Sequence, residues 1–138
     1  MGQALILDSE AIHALAAAGT RGALALRSRA ILQVAYEQRA PVRVPAPVLA
    51  EVCRGSKRDA AVERILNERG IGVVDLTADC ARRAGALLEK AKLDSSHAID
   101  AFVVATAMQF EFAVIATGDP RDLQRLASGI RTVRVFAI

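Results

Sequence analysis

The sequence predicts an α/β fold in which helices cover both faces of a short, mainly parallel sheet of four or five strands. Three observations lead there. The runs Ala4-Leu5-Ile6-Leu7, Ile71-Gly72-Val73-Val74 and Ala113-Val114-Ile115-Ala116 are apolar without alternation, as strands buried on both faces are. Stretches with helical spacing of apolar residues separate them, and such alternation implies parallel strands joined by crossovers. Finally, 138 residues that are 53% hydrophobic and 24% charged suit one domain, residues 1–138, with a single core rather than a disordered chain.

Taken in order, the first run ends at Asp8, and Ile12, Leu15 and Ala16 then mark a short helix that Gly19 is expected to stop. A second helix is predicted over residues 22–39, with Leu24, Ile31, Leu32 and Ala35 on its buried face. Pro41 and Pro45 bracket Val42-Arg43-Val44 as a strand. Pro47 suits the first turn of the following helix, which Gly55 is expected to close. Ser56 suits the cap of a helix over 57–68, with Val62, Ile65 and Leu66 as its buried stripe and Gly70 at its end. Beyond the strand at 71–74, Thr77 caps a helix to about residue 92, and Asp94-Ser95-Ser96 opens an apolar helix from His97 to Phe110. The strand at 113–116 runs into Thr117-Gly118-Asp119-Pro120, a last helix over 121–127 and a final edge strand over 132–135.

Composition narrows the function. Only 4% of residues are aromatic and none is Trp, which disfavours base-stacking platforms for single-stranded nucleic acid. The net charge of +3 permits a polyanionic partner without requiring one. Cys53 and Cys80 lack C-x-x-C spacing, and His13 and His97 stand far from both in sequence, so neither a zinc site nor a disulfide is expected. No signal-peptide pattern opens the chain, and Asp100, Gln109 and Glu111 interrupt the apolar stretch 98–116. No membrane span is expected, and the chain is assigned to the cytoplasm.

The acids carry the functional signal. Asp8 and Asp119 each follow directly on a buried strand, although either could serve only as a helix cap. Glu51 lies on a helix among Val48, Leu49 and Val52, with Arg54 as its one local counter-charge. Asp100 is odder, because on an otherwise aliphatic helix its only charged helical neighbour is His97. Burying such a carboxylate unpartnered is costly. Strand ends and the starts of neighbouring helices share one edge of an α/β sheet, so Asp8, Glu51, Asp100 and Asp119 can converge. Two anions about 4 Å apart repel by about 4 kcal/mol at an effective dielectric near 20, so such a cluster calls for cations. Oxygen ligands without Cys or His select hard divalent ions, Mg²⁺ or Mn²⁺. Their chemistry on carboxylate clusters is mainly the activation of water against phosphates. Without these four acids the remaining eleven face 18 Lys and Arg, a balance of +7 that suits a polyanionic substrate.

These residues resemble the PIN-domain ribonucleases, and specifically VapC-type toxins of bacterial toxin–antitoxin pairs. The likeness runs in order along nearly the whole chain: Leu7-Asp8-Ser9 at a strand end; Pro47-Val48-Leu49-Ala50-Glu51 on a helix; Asp100-Ala101-Phe102-Val103-Val104-Ala105-Thr106-Ala107; and Thr117-Gly118-Asp119-Pro120-Arg121-Asp122 before Leu123. The resemblance implies a PIN-like three-layer α/β/α domain and a Mg²⁺- or Mn²⁺-dependent endoribonuclease leaving a 5′-phosphate and a 3′-hydroxyl. It further implies a homodimer restrained by a small cognate antitoxin. Asp8, Glu51, Asp100 and Asp119 would carry the metal, with Ser9, Thr117 and Asp122 orienting them and Arg54 and Arg121 meeting RNA phosphate or solvent. His97 is read as a surface residue at a helix start. Glu10, where the family more often has a small or apolar residue, has two open readings: an added charge near the metal, or a solvated side chain.

Two rivals stand beside this reading. Aspartate-based phosphotransfer or phosphatase domains also place Asp at strand ends with Mg²⁺. However, Glu10 stands where a second Asp is wanted, and Lys57, Lys90 and Lys92 all fall in predicted helices rather than after a strand. A non-catalytic PIN-like binding module would be expected to have lost an acid, and all four are present.

Overall fold

The computed structural model describes residues 3–17 and 22–138. Five strands, β1 (Gln3–Leu7), β2 (Val42–Pro45), β3 (Ile71–Val74), β4 (Phe112–Thr117) and β5 (Val133–Ala137), form one sheet in the order β3-β2-β1-β4-β5. Every neighbouring pair is parallel, and the aliphatic runs explain why: β1 and β4 lie inside the sheet with both faces covered, so neither alternates. The helices are α1 (Ser9–Ala16), α2 (Ala23–Glu37), α3 (Leu49–Val52), α4 (Asp59–Leu66), α5 (Ala78–Ala91), α6 (Ala98–Ala107) and α7 (Pro120–Leu126).

The strand order fixes the layers. From β1 to β2 to β3 the chain steps one way across the sheet, and from β3 to β4 to β5 it steps back the other way. Right-handed crossovers therefore put α1 to α4 on one face and α5 to α7 on the other. The packing follows: α1 contacts α2, α3 and α4, while α5, α6 and α7 contact one another. The core is aliphatic, with Ile6, Leu7, Ile12, Leu32, Ile115 and Leu123 among its largest fully buried side chains. Cys80 is buried in it, Cys53 is half-buried, and both are free thiols.

Several expected boundaries move, each for a local reason. The helix entered through Pro47 does not reach Gly55. It is a 3₁₀ turn, Ala46–Val48, followed by the single turn of α3. Asp59 ends it from a distance: its carboxylate accepts the backbone N–H groups of Arg54 at 3.1 Å and Gly55 at 2.8 Å. Gly55 there adopts a left-handed φ of +73°, which a side chain would resist. Consequently α4 begins at Asp59, not at Lys57, and Arg58 rather than Ser56 is its N-cap residue. Ahead of α6, Ser95–His97 form a 3₁₀ turn, with Asp94 accepting the Ser96 N–H at 3.0 Å. Thr77 does cap α5, accepting the Cys80 N–H at 3.1 Å. On α2 Leu32 and Ala35 are buried, but Leu24 is exposed. The expected stop at Gly19 lies outside the described residues.

Candidate active site

The sheet order reverses between β1 and β4, and the carboxyl ends of strands flanking such a switch point are where α/β sheets bind ligands. Asp8 follows β1 there and Thr117 closes β4; the two strands are locked in register, Leu7 opposite Ala116. Asp8 takes an extended backbone and caps α1, its Oδ1 accepting the Ala11 N–H at 3.0 Å. The Glu10 N–H and the Thr117 hydroxyl also donate to its carboxylate. Burial nevertheless dominates: with 7% of the residue exposed, the carboxyl is pushed up to about 6, the charge of Glu10 adding to the effect. Thr117 is itself fully buried and accepts the Asp119 N–H at 3.0 Å. One hydroxyl thus ties together the ends of two strands and the start of α7.

Asp100 reaches this edge from the other layer. α6 leads into β4 and runs against it, so its first turn, which holds Asp100, lies over the carboxyl edge. Burial pushes Asp100 up to about 6, followed by the negative charges of Asp122, Asp8 and Glu51, with His97 opposing them. Glu51, on α3 after β2, is solvent-exposed. Glu10 on the first turn of α1 is raised by burial and then by Asp119, Asp100 and Glu51. Its carboxylate presses on Gly118, where any side chain would collide with it. All four predicted acids, together with Asp122 and Glu10, therefore share one electrostatic neighbourhood.

Of the two residues whose roles the sequence left undefined or bland, Glu10 faces the cluster and His97 joins it. His97 Nδ1 lies 3.4 Å from Asp122 Oδ2. A potential ligand atom from each of His97, Asp100 and Asp122 lies within 4.8 Å of the other two. The signal for His97 was its position three residues before Asp100 on a tight turn. Ser9, by contrast, opens α1 and makes no side-chain hydrogen bond among the described residues. Arg54 is exposed and folds back, its Nη1 donating to the Ala50 carbonyl at 3.2 Å rather than pairing with Glu51. Arg121 is exposed on the first turn of α7, beside Asp122.

The chemistry of these residues suits a divalent cation. Among the described residues, the three whose potential ligand atoms lie within 4.8 Å of one another are His97, Asp100 and Asp122; Asp8, Glu51 and Asp119 stand around that group rather than in it. Among the described residues no Lys or Arg forms an ion pair with Asp8, Glu10, Glu51, Asp100 or Asp119. Three of these acids, Asp8, Glu10 and Asp100, sit in surroundings that penalise their charge. Such a donor set, carboxylate oxygens with one imidazole nearby, lacks a neutralising charge that a bound cation supplies.

Comparison with known proteins identifies the architecture. A family model described as PIN domain matches residues 5–129. Among solved structures, VapBC2 from Rickettsia felis, bound to a DNA fragment of its promoter, superimposes with a TM-score of 0.68 at 16% identity, over 97% of this chain and 98% of that one. A toxin–antitoxin complex from Klebsiella pneumoniae gives 0.65 at 22% identity, over 98% and 100%. The PIN domain endonuclease Utp24 gives 0.59 at 17% identity, over 97% and 84%. At these identities the likeness is one of fold. No curated protein matches the sequence.

Proposed function

This chain belongs to the PIN domain family, and from that premise we propose that it is a Mg²⁺- or Mn²⁺-dependent endoribonuclease, the single-domain toxin of a cytoplasmic toxin–antitoxin pair. One observation carries the reading: Asp8 and Asp100, delivered from opposite layers of the fold, are both buried enough to be raised to about 6, and no basic side chain among the described residues pairs with either. A fold that needed only helix caps has no use for this arrangement. The toxin–antitoxin complexes and the endonuclease among its structural relatives support the same class.

In this reading Asp8, Glu51, Asp100 and Asp119 hold the cation. A bound Mg²⁺ or Mn²⁺ would lower the pKa of a water and neutralise charge developing on the phosphate. Thr117 fixes the Asp8 carboxylate and the Asp119 backbone, and Asp122 bears on Asp100. Arg121, and Arg54 once released from the Ala50 carbonyl, meet RNA phosphates at the rim. Water attacks phosphorus as the bond to the 3′-oxygen breaks, leaving a 5′-phosphate and a 3′-hydroxyl. The phosphotransfer alternative lacks its lysine, since none of the three follows a strand: Lys57 is exposed in the turn before α4, Lys92 pairs with Glu89 at 3.4 Å, and Lys90 is on α5.

Partner binding has separate support. Leu26, Val34, Phe112 and Phe136 are large apolar side chains left exposed, and Val34 and Phe136 line a groove of about 260 Å³ with Ile31 and Val114. Exposed apolar surface of this kind suits another protein chain, a second copy or an antitoxin.

The test is cleavage of a labelled single-stranded RNA by wild type, Asp8→Asn and Asp100→Asn, with Mg²⁺, Mn²⁺ or EDTA. Wild type is expected to cut only with metal, and both folded variants to lose at least about a hundredfold in rate, as loss of charge-stabilising groups does. Equal cutting by all three, or cutting unaffected by EDTA, would defeat the proposal.

A further inference from the structure

We propose that His97 is a nitrogen ligand at this site, converting an all-oxygen cation position into a mixed one that prefers Mn²⁺ over Mg²⁺. The inference rests on the metal-dependent reading above and deepens it. His97 closes the 3₁₀ turn Ser95–His97, and Asp100 follows on the first turn of α6, so both side chains ride on one rigid piece of backbone. Asp122 meets them from the first turn of α7. Its Oδ2 lies 3.4 Å from His97 Nδ1, and one potential ligand atom from each of the three falls within a 4.8 Å span. That is the spacing of donors around a single ion.

A simpler role would make His97 a counter-charge for Asp122. Such a role needs one carboxylate at the imidazole, whereas here a second, Asp100, also has an oxygen within 4.8 Å of it and is uncompensated by any Lys or Arg among the described residues. Imidazole is a softer donor than carboxylate and adds more to the affinity of Mn²⁺ and later transition ions than to that of Mg²⁺, which favours oxygen ligands and keeps its waters. The other histidine, His13, is exposed on α1 and borders the groove between α1 and α4 rather than the acids. It is therefore an internal control.

The experiment is pulsed electron paramagnetic resonance on EDTA-stripped full-length protein loaded with less than one equivalent of Mn²⁺, paired with calorimetric titration of Mn²⁺ and of Mg²⁺. Wild type, His97→Gln and His13→Gln are compared, each checked for fold by thermal melting. Wild type and His13→Gln are expected to show ¹⁴N modulation from a directly bound imidazole. His97→Gln is expected to lose it while still binding Mn²⁺, with its Mn²⁺-to-Mg²⁺ affinity ratio falling at least tenfold. Mn²⁺ bound to wild type without ¹⁴N modulation, modulation that survives His97→Gln, or an unchanged affinity ratio would overturn the inference while leaving the nuclease reading intact. A wild type that binds no Mn²⁺ at all would overturn both.

Discussion

Asp8 does two jobs with one side chain: it accepts the Ala11 N–H that starts α1 and presents a buried negative charge at the edge of the sheet. The first job survives Asp8→Asn, since Asn caps about as well as Asp, whereas Asp8→Ala would add a capping loss of about 1 kcal/mol. The second makes stability depend on pH. Burial raises Asp8 from 3.8 to about 6, so the folded state favours the protonated acid. Stability fully present below pH 3.8 is then lost as pH climbs to about 6 and stays lost above it. A rise of about 2 units at about 1.4 kcal/mol each amounts to roughly 3 kcal/mol for this residue. Asp100 acts in the same direction. Thermal melting in EDTA should therefore show stability falling between pH 4 and pH 6, with the slope reduced in Asp8→Asn and suppressed by millimolar Mn²⁺. A melting profile that rises over that window would contradict the burial of these charges. At this scale the places of Asp8 and Asp119 at the carboxyl edge were legible because one follows β1 directly and the other follows β4 by two residues. Asp100 stood out because no Lys or Arg is near it in sequence. His97 was not, because Asp122 comes to it from another element; nor was Glu10, because a residue on the first turn of a helix does not reveal which way its side chain points.

At the scale of elements, the site depends on how β1, β4, α1 and α7 are stapled. Thr117 is the staple, donating to Asp8 and accepting from the Asp119 N–H. Thr117→Val keeps the shape and removes both bonds; a loss of about 1–3 kcal/mol is expected, together with weaker Mn²⁺ binding, since the Asp8 carboxylate and the Asp119 backbone lose their common anchor. Chemical denaturation and calorimetry would measure the two effects, and a stability unchanged from wild type would remove Thr117 from the account. Gly118 plays a steric part: a Cβ there meets the Glu10 carboxylate. Gly118→Ala should therefore expel Glu10 from the cluster and, in metal-free protein, relieve part of its repulsion with Asp119. The pH-dependent shift of the Glu10 carboxyl resonance would report it, moving towards that of an ordinary glutamate. The exact extents of elements were harder to read than their existence. α3 is one turn long because Asp59, beyond it, captures the Arg54 and Gly55 N–H groups. Helical spacing alone could not anticipate that competition.

For the molecule as a whole, five parallel strands in the order β3-β2-β1-β4-β5 make the site a consequence of topology: the order reverses beside β1, and the acids collect there. The sequence carried this fold openly because β1, β3 and β4 each contain a run free of charged residues, β2 is bracketed by prolines, and the crossovers have helical spacing. The outer surface was less legible, as Leu24 shows: helical spacing identifies an apolar stripe but not whether the fold or another molecule covers it. Leu26, Val34 and Phe136 remain uncovered. On the dimer reading, light scattering should give twice the 14.6 kDa chain mass, and Val34→Glu should return the protein to monomer with its fold retained; a monomeric wild type would remove the homodimer from the proposal. The central claim, that the acids at the switch point form a cation site rather than a set of helix caps, is tested most directly by calorimetric titration of Mn²⁺ into EDTA-stripped wild type and Asp100→Asn. Asp100 is not an N-cap residue, so its replacement removes no capping bond. Saturable binding by wild type, weakened at least about tenfold in a variant that melts normally, is the predicted result; no binding, or equal binding by both proteins, would contradict it.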